Sequence, residues 1–297
     1  MTTTLPGCLI PLRLIIYIFP CPYPAVDPYV RILRPLNGAM AGLAVVGGAY
    51  VASGGVGWEA LLASGATFLI CGAGNVINDY FDVDIDRVND PSRPIPSGAV
   101  APSSARLYAL FLFALGALAS APISPFVLAI ALLNSVLLYF YAWRVKRRGG
   151  LLKGLTVSYL VASPFFFGGA AVGHPFPTLL LSLLAGLANV GREVVKDIED
   201  YAGDRPYART LPRQLGIGRA AWVAAVFVAL AVALSPLPYL LGLLGIRYLG
   251  VVLLADLLFA YAMADFLLEA TPARATGCQR RIKGAMLLAL AAFFVGA

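Results

Sequence analysis

Long apolar segments follow one another along almost the whole chain, and short stretches between them hold most of the charged residues. A helix needs roughly 20 apolar residues to cross a bilayer, and nine segments fit that length. The apolar runs are continuous rather than alternating, which favours helices over the strands of a membrane barrel. The predicted spans are residues 35–54, 58–80, 103–121, 125–143, 152–172, 177–195, 218–236, 246–268 and 280–297.

Composition supports an all-α integral membrane protein. The 297 residues have a mean hydropathy of +0.83, and 12% of them are charged, whereas about a quarter of the residues are charged in soluble domains. We therefore predict one polytopic membrane domain over residues 1–297, with residues 1–30 as an N-terminal lead-in. Residues 8–24 are apolar and Pro-rich but lack a clean cleavage site, so an interfacial segment is preferred over a signal peptide.

The basic residues predict the orientation in the membrane. On the nine-helix prediction, 21 of the 22 Lys and Arg residues fall on one side, and Arg247 falls on the other. Lys and Arg collect on cytoplasmic loops, so the loops at residues 81–102 and 196–217 are predicted to be cytoplasmic in a multi-pass protein of the cell membrane. The net charge of +7 then reflects topology and attraction to anionic lipid, and it does not indicate a nucleic-acid partner.

Few of the other reactive residue types form a pattern. The four cysteines have neither metal-ligand nor CxxC spacing, and His174 stands alone in a short loop. Asp256 lies in the middle of the predicted eighth helix. An ionisable residue there is a functional candidate, although a protonated Asp that is hydrogen-bonded to a neighbouring helix is equally consistent.

The first concentration of acid is the segment NDYFDVDIDRVNDPSRPIPSG, from Asn78 to Gly98. It holds five carboxylates, two arginines and three prolines in 21 residues. Asn78, Asp82 and Asp86 have i, i+4, i+8 spacing, which places them on nearly one face of a helix. They are predicted to line the cytoplasmic mouth of the second helix.

A second acidic segment, GREVVKDIEDYAGDRPYARTLP, lies at the matching end of the sixth helix. It offers Asp200 and Asp204 at i, i+4, with Asp197 and Glu199 beside them. Both segments have an Asn-Val entry, an Asp-rich helix end, a following arginine and a proline. An internal duplication with a period near 114 residues would explain this similarity.

Carboxylates that share a helix face repel one another, and near lipid they require neutralisation. Mg²⁺ is suited to this because it takes oxygen ligands from one or two carboxylates together with substrate phosphates. Two such stations suggest two Mg²⁺ ions that grip one diphosphate, with nearby Arg and Lys residues binding phosphate. At the end of the fourth helix, Lys146 is the first choice for this role and Arg144 the second. Solvated acidic loops that cap helices are the alternative interpretation.

NDYFDVDID with the following RPIPSG resembles the N-x-x-x-D-x-x-x-D signature of the UbiA superfamily of intramembrane prenyltransferases. Asp200 and Asp204 match the second signature, D-x-x-x-D. The two motifs together look most like the archaeal digeranylgeranylglyceryl phosphate synthase subfamily. This resemblance implies nine helices around a central cavity that opens laterally to lipid.

By the resemblance, Asn78, Asp82 and Asp86 would hold one Mg²⁺ ion, and Asp200 and Asp204 would hold the second. These four aspartates would be the catalytic residues. Arg34 and Asn37 match an R-x-x-N element near the substrates of relatives. Many relatives have Tyr-x-x-x-Lys at the end of the fourth helix, but here Tyr139 and Lys146 are seven residues apart. The identity of the residue at this helix end that contacts the diphosphate is therefore not determined by the sequence. The predicted diphosphate- or substrate-binding residues are Arg34, Asn37, Arg93, Tyr139, Arg144, Lys146, Lys196 and Arg209.

The activity that the resemblance implies is Mg²⁺-dependent transfer of a geranylgeranyl group from its diphosphate to a lipophilic acceptor. The preferred acceptor is the free hydroxyl of geranylgeranylglyceryl phosphate; an aromatic acid of the 4-hydroxybenzoate type is the alternative. Tyr139, Phe140 and Tyr141 are candidates for stabilising an allylic cation through their faces, or they simply pack. A cation-coupled transporter is a distant alternative, because transporters bind near the bilayer midplane and these acids lie at helix ends.

Overall fold

The computed structural model describes residues 27–202 and 209–297, which are helical with short connections and contain no strand. Most of the predicted lead-in, residues 1–26, lies outside the described residues. Nine long helices are present in these ranges. They are α1 (Pro35–Ser53), α2 (Trp58–Phe81), α3 (Pro102–Ser120), α4 (Pro125–Phe140), α5 (Gly150–Ala171), α6 (Pro175–Glu199), α7 (Ile217–Leu234), α8 (Ile246–Leu268) and α9 (Pro272–Gly296).

Helices α1 to α8 are long and apolar enough to cross a membrane, which makes eight such helices in the described ranges. The ninth predicted span, over residues 280–297, is not among these eight, and its start needs correction. α9 begins at Pro272, where the Thr271 hydroxyl accepts a hydrogen bond from the backbone N–H of Arg274 and caps the helix. Its first half is therefore basic and polar, and its apolar part is short.

Helix α2 ends where the first acidic segment begins. Phe81 is its last residue, and Asp82 lies between α2 and a short helix, Val83–Asn89. The backbone N–H of Asp82 donates to the carbonyl of Asn78 at 3.0 Å, and that of Asp86 donates to the carbonyl of Asp82 at 2.8 Å. The i, i+4 relationship therefore continues across the break, as the sequence pattern predicts.

Glycines bring α1 and α5 into backbone contact. A Cβ atom on Gly48 would lie 2.1 Å from the carbonyl oxygen of Phe165, and one on Gly168 would lie 2.0 Å from that of Val45. Small residues at such crossings let membrane helices approach closely, which replaces a hydrophobic driving force with van der Waals contact. These two glycines therefore determine the distance between α1 and α5.

The core is divided between the two halves of the chain. One cluster of buried residues joins α2, α3 and α4 to α1 and α5, and another joins α6, α7, α8 and α9. α5 packs along α6 and connects the halves. α9 also contacts α1, where Phe294 stacks on Tyr50 with ring centroids 6.1 Å apart.

A glycine joins the two polar loops that carry the predicted site residues. Gly149 follows the extension of α4 and has φ +65°, a conformation that favours glycine. A Cβ atom there would lie 2.1 Å from the carbonyl oxygen of Arg209, and the N–H of Gly150 donates to that oxygen at 2.6 Å. The loop after α4 is thereby attached to the segment before the short helix Leu211–Leu215.

Candidate active site

Three of the five carboxylates in the first acidic segment point inward, and two of them bind arginines. Asp79 is 3% exposed and Asp86 is 6% exposed. Arg34 forms an ion pair with Asp79, while Arg93 bonds Asp86 at 2.7 Å and approaches Asp79 at 3.5 Å. Burial tends to lower the pKa of Arg93, but its hydrogen bond to Asp86 and the charges around it raise that pKa above the ordinary value.

Arg34 adopts an unusual backbone conformation to reach this cluster. It lies between a short helix, Pro28–Leu33, and α1, with φ 53° and ψ 67°, in the left-handed region. A non-glycine residue rarely adopts this conformation, and such strain is concentrated at functional sites. The conformation accompanies the guanidinium contact with Asp79.

The third inward carboxylate, Asp82, pairs with a lysine from α4. Lys146 contacts Asp82 and donates to the amide oxygen of Asn78 at 3.3 Å. A π-helical turn, Tyr141–Val145, precedes Lys146, and such turns often occur at functional sites. Arg144 is exposed and lies over the ring of Trp143, with its guanidinium carbon 5.6 Å from the ring centroid. Of the two predicted cations, Lys146 therefore reaches the acidic cluster.

The other two carboxylates of the segment face outward. Asp84 pairs with Arg87 at 3.0 Å on the surface. Asp90 accepts a hydrogen bond from the Ser92 hydroxyl at 2.6 Å, which is the main cause of its lowered pKa. Asp90 also forms an ion pair with Arg93 at 3.6 Å, so it borders the inward cluster through that arginine, whereas Asp84 has only its surface contact with Arg87.

The second acidic cluster includes two residues that the sequence analysis did not name, and a third, Asp197, that it placed beside the second signature. Asn189, Glu193 and Asp197 lie on one face of α6 and are buried. Their i, i+4, i+8 spacing repeats that of the first signature, and this repeat was the signal in the sequence that could have identified them. Lys153 of α5 bonds Asp197 at 2.8 Å, and Arg192 bonds Asn189 at 3.0 Å and also pairs with Glu193.

Asp200, the residue of the second signature that the structure describes, lies further out. Asp200 is exposed in a 3₁₀ turn, Asp200–Ala202, and interacts electrostatically with Asp197. Lys196 and Arg209 are exposed, and the backbone carbonyl of Arg209 accepts hydrogen bonds from Gly150 and Gln214. Asp204 lies outside the described residues. Metal binding by Asp200 and Asp204 stays a prediction.

Tyr141 connects the two acidic clusters. This residue opens the π-helical turn, and its hydroxyl interacts electrostatically with Asp82 of the first cluster and with Glu193 and Asp197 of the second. Tyr141 therefore lies within electrostatic range of carboxylates on both α2 and α6. The neighbouring rings have packing contacts: Tyr139 lies edge-on to Phe81 with centroids 5.7 Å apart, and Phe140 contacts Trp143.

A cavity of about 680 Å³ lies among α1, α2 and α5 to α9. Asn37, in the first turn of α1, is part of its lining, and Ser235, just past the far end of α7, is another part. The cavity therefore extends deep into the bundle. Most of its wall is apolar. Asp256 also lines it and accepts a hydrogen bond from the Ser235 hydroxyl at 2.5 Å.

The two acidic clusters suit Mg²⁺. Each combines two buried carboxylates with an amide oxygen from Asn78 or Asn189, and hard oxygen donors of this kind are those that Mg²⁺ prefers. Over the ranges that the structure describes, no three His, Cys, Asp or Glu side chains converge on one point. Such a donor set fits an ion held by few protein carboxylates and by substrate phosphates, and it does not resemble an all-protein cage.

Eight apolar helices, buried carboxylates at helix ends and an apolar cavity are the features of a polytopic membrane enzyme. The chain belongs to the UbiA prenyltransferase family, whose sequence profile matches residues 39–293. The resemblance inferred from the two acidic motifs is thus confirmed.

Proteins of known function are similar over almost the full length. The digeranylgeranylglyceryl phosphate synthase of Methanopyrus kandleri is 46% identical over 89% of this chain and 97% of its own, and that of Halobacterium salinarum is 45% identical over 90% and 96%. A solved structure of such a synthase superposes with a TM-score of 0.86 at 38% identity, covering 91% of this chain and 97% of the other. A UbiA homologue from Archaeoglobus fulgidus, solved with GPP and Mg²⁺, has a TM-score of 0.65 at 17% identity over 90% of this chain and 100% of its own, which shows a shared fold.

Proposed function

We propose that this protein transfers a geranylgeranyl group from geranylgeranyl diphosphate to the free hydroxyl of geranylgeranylglyceryl phosphate. The product is the doubly alkylated glyceryl phosphate of archaeal ether lipids. The observation that carries this proposal is the identity of 40–46% over about nine-tenths of the chain to several digeranylgeranylglyceryl phosphate synthases. The cavity also supports it, because a long isoprenoid tail needs an apolar space.

The first acidic cluster holds one Mg²⁺ ion through Asn78, Asp82 and Asp86. The second ion is held at the end of α6 by Asp197 with Asp200 and Asp204, and Glu193 lines the same space. When bound, Mg²⁺ neutralises charge that develops on the diphosphate leaving group. The Archaeoglobus homologue solved with GPP and Mg²⁺ supports this cofactor.

The cations around the clusters have two roles in this mechanism. Arg34 and Arg93 hold carboxylates of the first cluster in position, and with Lys146 they donate hydrogen bonds to diphosphate oxygens as negative charge develops there. The face of Tyr141 stabilises the allylic cation. The apolar lining of the cavity excludes water, which would otherwise capture that cation.

The orientation of the site is part of the proposal. The acidic clusters lie at the ends of α2 and α6 that border the loops at residues 81–102 and 196–217, and the Lys and Arg residues are concentrated on that side of the chain. By the positive-inside rule this side is cytoplasmic. α9 then crosses as a ninth helix, packed against α8 and α6.

The test is a paired assay of purified protein with Mg²⁺ and labelled geranylgeranyl diphosphate. One reaction receives geranylgeranylglyceryl phosphate and the other receives 4-hydroxybenzoate. We expect product with the glyceryl phosphate alone, and its loss on chelation and in Asp82→Ala. If product forms with the aromatic acid alone, prenyl transfer is supported but the proposed acceptor is refuted. If neither acceptor gives metal-dependent turnover, the whole proposal is refuted.

A further inference from the structure

Lys283 of α9 is a cation without a counterion beside the cavity. It lines the cavity together with Arg192 of α6 and Asn37 of α1. The other cations that approach the acidic clusters are paired with carboxylates there. Lys283, in contrast, forms no ion pair or side-chain hydrogen bond with any residue in the described ranges.

Lys283 is exposed and lines the cavity at the point where the apolar part of its helix begins. Gln279, one turn earlier in α9, bonds Glu199 at the end of α6 at 2.6 Å, so Lys283 lies one turn further into the bundle. The next cavity-lining residues of α9 are Met286, Leu287 and Leu290. Its ammonium is therefore accessible to a ligand that enters the cavity, and no carboxylate in the described ranges pairs with it.

Arg192, unlike Lys283, is bound to neighbouring side chains. Its guanidinium is bonded to the Asn189 amide oxygen at 3.0 Å and to the Glu193 carboxylate, and its side chain is only 15% exposed. Arg192 is thereby fixed in orientation, and Glu193 largely balances its charge. A fixed guanidinium and an unpaired ammonium that line the same cavity give it positive charge and several N–H donors.

We propose that Lys283, together with Arg192 of the same cavity, binds the phosphate monoester of the acceptor lipid. This inference rests on the proposed function, in which the reaction brings together two anionic groups. Arg34, Arg93 and Lys146 lie at the first acidic cluster and serve the diphosphate. The acceptor phosphate needs cations elsewhere, next to a space for its apolar chain. Lys283 and Arg192 have that location.

The test compares two acceptors in the wild type and in Lys283→Gln: geranylgeranylglyceryl phosphate and its dephosphorylated counterpart, geranylgeranylglycerol. We expect Lys283→Gln to lower kcat/KM for the phosphorylated acceptor about 10- to 100-fold, the range for loss of a charge-assisted hydrogen bond. We expect kcat/KM for the alcohol and KM for geranylgeranyl diphosphate to change less than about twofold. The alcohol has no phosphate for Lys283 to bind, and the diphosphate binds at the acidic clusters. Lys283→Arg should restore the preference.

Arg280→Gln is the matched control. Arg280 is exposed on the same helix and does not line the cavity, so its loss should not change the preference. An equal fall of activity with both acceptors in Lys283→Gln would overturn the proposal in favour of a packing role. An unchanged preference would overturn it in favour of a lysine that extends to the membrane surface.

A membrane phospholipid could supply the same phosphate chemistry. Assays in detergent with and without anionic phospholipid separate the two sources. If Lys283→Gln changes the response to that lipid and leaves the acceptor preference intact, the acceptor subsite is refuted. Thermal stabilisation by each acceptor, measured without geranylgeranyl diphosphate, tests binding even if the wild type shows no turnover. The proposal requires that the phosphorylated acceptor stabilise the wild type more than the alcohol does, and that Lys283→Gln remove this difference.

Discussion

Lys146 and Asp82 form an ion pair between the end of α4 and the end of α2, although 64 residues separate them in the chain. The same ammonium group reaches Asn78 at 3.3 Å. Lys146 thus contacts two of the three groups proposed to hold the first Mg²⁺ ion. A cation in this position competes with a metal for the carboxylate, and it is also placed to bind the diphosphate that arrives with the metal.

Lys146→Met tests this competition. Removal of the ammonium should lower the Mg²⁺ concentration needed for half-maximal activity, because Asp82 loses a competing cation. It should also lower kcat at saturating Mg²⁺ by about 10- to 100-fold, because a charge-assisted contact to the leaving group is lost. The measurement is a Mg²⁺ titration of initial rates. Arg148→Met, an exposed substitution nearby, is the control, and an unchanged metal response in Lys146→Met would contradict the prediction.

Asp86→Asn and Asp84→Asn should differ sharply although they are two residues apart. Asp86 is buried against Arg93, whereas Asp84 pairs with Arg87 on the surface. We expect Asp86→Asn to lower kcat/KM by at least about 100-fold, a loss typical of a group that stabilises the transition state electrostatically. Asp84→Asn should cost less than about threefold, since surface ion pairs contribute little. Comparable losses of kcat/KM in the two variants would show that burial does not distinguish the roles of Asp86 and Asp84.

On α6, Asp197→Asn should lower Mg²⁺-dependent turnover by at least about 100-fold. Glu199→Gln is the control, because Glu199 bonds Thr276 and Gln279 of α9 and lies two residues away. Asp200→Asn in the same series tests the prediction from the second signature. Binding of labelled geranylgeranyl diphosphate at varied Mg²⁺ gives a readout independent of turnover, and normal metal-dependent binding in Asp197→Asn would refute its assignment.

Gly168→Val should destabilise the protein through the contact between α1 and α5. A side chain at Gly168 would enter the backbone of α1 near Val45, and overpacking of this kind costs about 1–3 kcal/mol or more. We expect the melting temperature in detergent to fall by at least about 5 °C. Gly65→Val is the control, because a Cβ atom there meets no atom within 4 Å. Equal melting temperatures of the two variants would contradict the role of close packing.

The helices and the first acidic cluster were predictable because their signals are local. Continuous apolar length identified α1 to α8, and the spacing of Asn78, Asp82 and Asp86 placed them on one face. The pairing of Lys146 with Asp82 was harder to predict, since a π-helical turn changes the direction in which residues after Tyr141 point.

The second cluster shows a limit of motif matching. The D-x-x-x-D pattern selected Asp200 and Asp204, but α6 ends at Glu199, and Asp200 is exposed beyond it. Glu193 was overlooked because it stands beside Arg192, and a neighbouring charge pair in sequence does not reveal which member is buried. Lys283 was missed for a related reason: it appeared in a basic run that topology alone explained.

The composition of α9 has a consequence for how the protein is assembled in the membrane. Its first half carries Arg274, Arg280, Arg281 and Lys283, and α9 is not among the eight helices of the described ranges that are apolar enough to cross a membrane. α9 packs against α8, with Cys278 and Ile282 buried beside Met263 and Phe266. We therefore expect the integration of α9 into the membrane to depend on its packing against α8.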